Sequence, residues 1–208
     1  MQQKMYDVSV GLRPLMPVWP DNPGFEISPY QTLEEGADAN VSVMKLGSHV
    51  GTHVDAPAHF IKGAPSVDTL PLDILIGEAF VFELQVQSSI SVADLEMLDL
   101  RGRKRILFKT RNSMLWSKEE FTPDYVSFEI EAAEFLVRKG VKLVGIDYLS
   151  VGSYEDGVDV HHAFLESGIV VIEGLDLSSV SQGPYEIVCL PLKVIGADGA
   201  PARVVLRQ

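Results

Sequence analysis

Apolar positions along this chain fall into short runs instead of long helical stripes. "NVSVMKL" (Asn40 to Leu46), "EAFVFELQV" (Glu78 to Val86), "RILFKT" (Arg105 to Thr110), "VKLVGID" (Val141 to Asp147), "GIVVIEG" (Gly168 to Gly174) and "YEIVCLPL" (Tyr185 to Leu192) are rich in β-branched and aromatic residues, the pattern of strands. Helical spacing is confined to three segments. "SVADLEMLDL" (Ser91 to Leu100) opens on a serine cap. "SFEIEAAEFLVRKG" has Ser127 as cap, acids in its first turn, Arg138 and Lys139 in its last and Gly140 as stop. "DVHHAFLESG" places Asp159 as cap and Gly168 as stop, with His161 and His162 in the first turn. The stretch "RNSMLWSKEEFTPD" (Arg111 to Asp124) reads as a polar, exposed loop. Strands that outnumber helices, with helices interspersed in the second half, predict an α/β domain with a mixed sheet. No repeat, low-complexity tract or Pro/Ser-rich linker divides the sequence, so residues 1–208 are expected to form a single domain.

Composition narrows the partners. The 208 residues are 46% hydrophobic and 22% charged, enough to bury one sizeable core. A net charge of −12 repels nucleic acid and anionic membrane, which leaves a small molecule as the expected partner. There is no basic segment followed by an apolar leader and no run near the ~18 apolar residues of a membrane span, so a soluble cytoplasmic protein is expected. The single Cys189 lies within a strand-like run and reads as a core thiol; a disulfide framework within one chain is impossible.

Histidine is distributed unevenly. All five fall in two places: His49, His53 and His59 in "SHVGTHVDAPAHF", and the pair His161 and His162. A helix over "HVGTHVD" would pair His49 with His53 at i and i+4, but it would turn Asp55 away, and Gly51, Thr52 and Val54 are poor helix formers. An extended segment puts His49, His53 and Asp55 on one side, yet roughly 20 Å would separate the outer two unless the chain curls, and Gly51 is the natural place for that curl. Two imidazoles and a carboxylate are a divalent-ion ligand set, and three protein ligands with an open position are the arrangement of a catalytic zinc site. Glu173 ends a buried-type strand, where an acid requires a partner or a metal. Asp147 occupies the matching place after "VKLVGI", as a structural hydrogen-bond acceptor or as a second acid at the strand ends. Two ions bridged by Asp55 and Glu173, with His161 completing the second, would use these donors together. Trp19, between prolines in "MPVWPDNP", is either a packing residue or a ligand contact.

"SHVGTHVDAPAHF" resembles the H-x-G-T-H-x-D-x-P-x-H signature of the cyclase-like metal-dependent hydrolases, which include bacterial kynurenine formamidases and isatin hydrolases. The likeness runs from "YDVSVGLRPLMPVWP" through "SVDTLPLDILIG" and "RILFKTRNS" to "HHAFLESGIVVIEGLDL". It implies an α/β fold with a barrel-like or swivelling β core flanked by helices, assembled as a homodimer or homotetramer. Carried over, His49, His53 and Asp55 match the first-metal ligands, with Asp55 bridging to a second ion held by His161 and Glu173; the register choice between His161 and His162 rests on distance to Glu173. His59 matches the proton donor and acceptor, and Trp19 an aromatic substrate contact. The cofactor implied is one or two divalent ions, Zn²⁺ or Mn²⁺, and the reaction is hydrolysis of a small aromatic amide, foremost N-formylkynurenine to kynurenine and formate. The run "DYLSVGSYEDGVDVHH" departs from the formamidase pattern beside the expected pocket. Hydrolysis of a cyclic amide such as isatin, or of a lactone, is the alternative; a metal-binding sensor without chemistry is the rival from another class.

Overall fold

In the computed structural model, which describes residues 4–208, the chain runs β1 (Met5–Asp7), β2 (Glu26–Gln31), β3 (Val41–Lys45), β4 (His53–Asp55), α1 (Leu72–Leu75), β5 (Ile76–Glu83), β6 (Ser89–Ile90), α2 (Val92–Glu96), β7 (Arg105–Lys109), β8 (Ser127–Phe128), α3 (Ile130–Arg138), β9 (Leu143–Ile146), α4 (Val158–Glu166), β10 (Val170–Glu173), β11 (Gly183–Pro191) and β12 (Gly199–Arg207). The strands β5, β7, β9 and β10 lie side by side in parallel, and β4, β12 and β11 continue the sheet antiparallel. Pairing of β12 with both β11 and β4 closes the ring into a seven-stranded barrel, with β1 added along the rest of the β12 edge. The fold is the single α/β domain with a mixed sheet that the pattern of runs predicts, closed into the barrel-like core that the family resemblance implies.

Alternation along each strand explains why both faces are buried. In β7, Ile106 and Phe108 pack outward against Leu95 of α2, Leu136 of α3 and Phe164 of α4, whereas Leu107 points into the barrel. The barrel interior takes one or more residues from every strand of the ring: Val54, Val81, Leu107, Leu143, Ile172, Ile187 and Val204. Cys189 is fully buried there, as its place in an apolar strand predicts. Strands covered on both faces read as continuous apolar runs, which is why β7, β9 and β10 are conspicuous in the sequence. Each fully buried Leu or Ile contributes roughly 1.5–3 kcal/mol, so the two clusters hold the ring closed.

Three readings are corrected. The segment after Thr110 is a 3-10 turn over Arg111–Ser117, with Asn112, Ser113, Leu115 and Trp116 buried, because its polar groups find partners: Asn112 pairs with the backbone of Val126, and Ser113 with Asp147. Ser127 belongs to β8, and the following helix is capped at Glu129, since the short β6–β8 ladder takes Ser127 first. The third helix starts two residues earlier than expected, with Gly157 at the cap and Asp159 inside the first turn. The β2–β3 hairpin contains the Asn40 to Leu46 run but stands outside the barrel, exposed along its whole length. No helix among the described residues is long and apolar enough to cross a membrane.

Candidate metal centre

The chain curls at Gly51, whose φ of +64° takes the left-handed region, and a Cβ there would lie 2.6 Å from Leu12 Cδ2. That curl brings His49 back onto Asp55, with Nδ1 2.8 Å from Oδ1. Gly174, at φ +73°, passes so close to the Gly51 carbonyl that a side chain would have no room. The close approach sets Glu173, at the carboxyl end of β10, directly against His53, its partner in the β10–β4 register. His161 arrives from α4.

Six of the nine residues singled out in the sequence surround one point. His53 Nε2 is 3.5 Å from Asp55 Oδ1 and 3.3 Å from Glu173 Oε2, and His161 Nε2 is 3.2 Å from Glu173 Oε1 and 3.9 Å from Asp55 Oδ2. Candidate ligand atoms of His49, Asp55 and His59 lie within 4.8 Å of one another, as do those of His53, Asp55 and Glu173, so Asp55 is common to both groups. His59 stacks on His49 with ring centroids 3.7 Å apart. Trp19 stands at the rim of a cavity of about 320 Å³, against Tyr154 and Phe121, and His49, His59, His161 and Glu173 line the same cavity. His162 points away and pairs with Glu166 on the surface, so His161 is the one of the pair that faces Glu173. Asp147 is outside the cluster: it accepts from the backbone N–H and hydroxyl of both Thr110 and Ser113, the structural reading of that acid.

The hydrogen-bond pattern tests whether a cation fits. His53 Nδ1 donates to the Gly51 carbonyl and His161 Nδ1 donates to the Gly157 carbonyl, so each neutral ring turns a bare Nε2 toward carboxylate oxygens. Lone pairs facing lone pairs repel unless a positive charge lies between them. Two atoms there, His53 Nε2 and Asp55 Oδ2, are buried with no hydrogen-bond partner among the described residues. Unpartnered polar atoms in a buried site are rare, and a cation between these two would satisfy both. Protonation supplies part of that charge in the bare cluster. Burial disfavours the imidazolium of His49, but the hydrogen bond and charge of Asp55, with Asp198 behind, outweigh it and raise the pKa to about 9. Burial is likewise outweighed at His161 by Glu173, again to about 9. Asp55 and Glu173 are pushed up by burial but held below the usual carboxylate range by these histidines, whereas burial keeps His59 below the ordinary imidazole value. Imidazole and carboxylate donors without thiolate suit a catalytic divalent ion.

Asp198 was not singled out in the sequence. Its Oδ2 is 2.7 Å from His49 Nε2 and 3.7 Å from His59 Nδ1. An isolated Asp-Gly in "GADGAP" reads as a turn, and nothing in the chain connects it with a histidine 149 residues away.

The Cyclase family profile matches residues 6–153. Cyclase-like protein 3 of Arabidopsis thaliana is 38% identical over 216 residues, covering 99% of this chain and 80% of the relative. The kynurenine formamidase of Erythrobacter litoralis is 34% identical over 209 residues, covering 100% and 95%. Among solved structures, a potential metal-dependent hydrolase with cyclase activity superposes with a TM-score of 0.87 at 33% identity, covering 99% of this chain and 98% of that one. A closed mixed barrel carrying this histidine–carboxylate cluster at the floor of a cavity defines a hydrolase that works with a divalent metal. The chain belongs to the cyclase family of such enzymes.

Proposed function

We propose that the protein is an arylformamidase, hydrolysing an N-formyl aryl amide, foremost N-formylkynurenine, to formate and the free amine. It is an amidohydrolase for C–N bonds other than peptide bonds, and the formamidase relative at 34% identity supports this choice of bond. One observation carries the reading: the unpartnered His53 Nε2 and Asp55 Oδ2 lie against Glu173 and His161, which line a cavity that Trp19, Phe60 and Tyr154 also line, so an activated carbonyl and a planar ring have places side by side.

In this reading His49, His53 and Asp55 would hold one ion, and Asp55, His161 and Glu173 would hold a second. Bound there, Zn²⁺ or Mn²⁺ would supply Lewis acidity toward a carbonyl and would lower the pKa of a water toward about 7. His59, kept neutral at pH 7 by burial, takes a proton from the attacking water and returns it to the leaving amine. Trp19, packed edge-on against Phe121 and tilted against Tyr154, holds the aryl ring and with it the carbonyl. Phe60 stacks on His161 at 4.3 Å and keeps water off its far face.

The test strips the protein of metal, restores Zn²⁺ or Mn²⁺ in separate samples, and follows N-formylkynurenine by absorbance beside isatin. Metal-dependent formamide hydrolysis at kcat/KM near or above ~10⁴ M⁻¹s⁻¹ supports the proposal. Preferential opening of isatin, with the formamide untouched, overturns it in favour of a cyclic-amide substrate.

A further inference from the structure

His49 differs from His53 and His161 in what its ring nitrogens face. His53 and His161 each give a ring proton to a nearby backbone carbonyl, Gly51 and Gly157. His49 has no such carbonyl. Its two nitrogens lie between two carboxylates, Asp55 at 2.8 Å and Asp198 at 2.7 Å. Asp55 is wholly buried and belongs to the cluster, whereas the Asp198 side chain is 46% exposed. An imidazole that ligates an ion offers one nitrogen and keeps its proton on the other, and a carboxylate at the protonated nitrogen fixes the ring and raises its basicity.

We infer that Asp198 is a positioning residue for metal capture: by accepting the Nε2–H of His49 it leaves Nδ1 bare toward Asp55. This rests on the metal-binding reading above. The placement is built into the fold. Gly199, the first residue of β12, faces Asp55 in the β12–β4 register, and the Ala56 N–H donates to the Asp198 carbonyl at 2.9 Å. Ser48 Oγ donates to Asp198 Oδ2 at 3.2 Å. A Cβ on Gly199 would lie 2.5 Å from His49 Cε1, so the residue beside Asp198 is bare where the ring packs. His49 is in turn stacked on His59, so the carboxylate that fixes one ring also fixes the platform of the other.

The experiment measures Zn²⁺ binding itself, by competition with a chromophoric chelator, and the His49 tautomer in the Zn²⁺-loaded protein, by long-range ¹H–¹⁵N spectra. Asp198→Ala is expected to weaken Zn²⁺ binding about 10–100-fold. Asp198→Asn, which keeps an acceptor oxygen, falls between it and the parent, and His162→Ala, on the surface, changes nothing. Parent affinity in folded Asp198→Ala overturns the inference. So does a proton on Nδ1 of His49 in the loaded parent protein, a readout that needs no variant to fold. Failure of the parent to bind Zn²⁺ at all overturns the metal reading beneath it.

Discussion

The paired histidines make metal binding a proton-releasing event, and the number released follows from their surroundings. His49 and His161 titrate at about 9 in the bare cluster, so at pH 7 each is about 99% protonated, and freeing each nitrogen costs roughly 3 kcal/mol. Zn²⁺ titrated into the stripped protein at pH 7 is therefore expected to expel about two protons per chain, plus any from bound water. Apparent affinity should rise on the order of 10³-fold from pH 7 to pH 9 and flatten above it. Calorimetric titration in two buffers of different ionisation enthalpy counts the protons directly, and His161→Ala should release one fewer. The sign also applies to folding without metal. A folded-state pKa raised from 6.5 to about 9 contributes stability that is fully present below 6.5 and lost as pH rises through 9, so the stripped protein should melt lower at pH 9 than at pH 6. Release of less than about half a proton at pH 7 would refute the reasoning, because it would mean that neither histidine gives up a proton to the ion.

Three further expectations follow from the geometry. His59→Ala should retain metal and lose kcat by about 10²–10⁴-fold, whereas His53→Ala should lose the metal, measured by elemental analysis; equal metal loss in both would merge their roles. Asp147→Ala strips the acceptor from the backbone N–H groups of Thr110 and Ser113, each worth about 1–3 kcal/mol when left buried and unpaired, and a chemical-denaturation loss under ~1 kcal/mol would contradict the structural assignment. The β2–β3 hairpin exposes Ile27, Tyr30 and Met44, and a lone hairpin is marginal in water, so we propose that it packs against a second copy of this chain. Ile27→Asp with Met44→Asp should then shift sedimentation from dimer to monomer, and a monomeric parent protein would overturn the assignment.

How much of this was legible in the sequence depends on whether the signal was local. His49, His53 and Asp55 sit within seven residues, and their types alone suggest an ion; the curl that joins them needs only Gly51. Glu173 was visible because a carboxylate at the end of "GIVVI" is out of character with its strand. The strand β12 was not visible, since Gly199, Pro201 and Arg203 interrupt its apolar alternation, and without β12 neither barrel closure nor Asp198 could be placed. The buried turn after Thr110 was misread because its polar side chains are satisfied by Asp147 and Val126, partners that only tertiary structure supplies.

Barrel closure also dictates an order of events. The strand that bears His53 and Asp55 finds its neighbours only at β10 and β12, so the cluster has no walls until the chain has been made through Gly199. At about 5–20 residues per second, ribosomal synthesis leaves His49, His53 and Asp55 without those neighbours for roughly seven to thirty seconds. Pairings so distant in sequence form slowly. Metal uptake therefore belongs at the end of biogenesis: the ion is received by a nearly finished barrel and cannot serve as the nucleus around which the barrel forms.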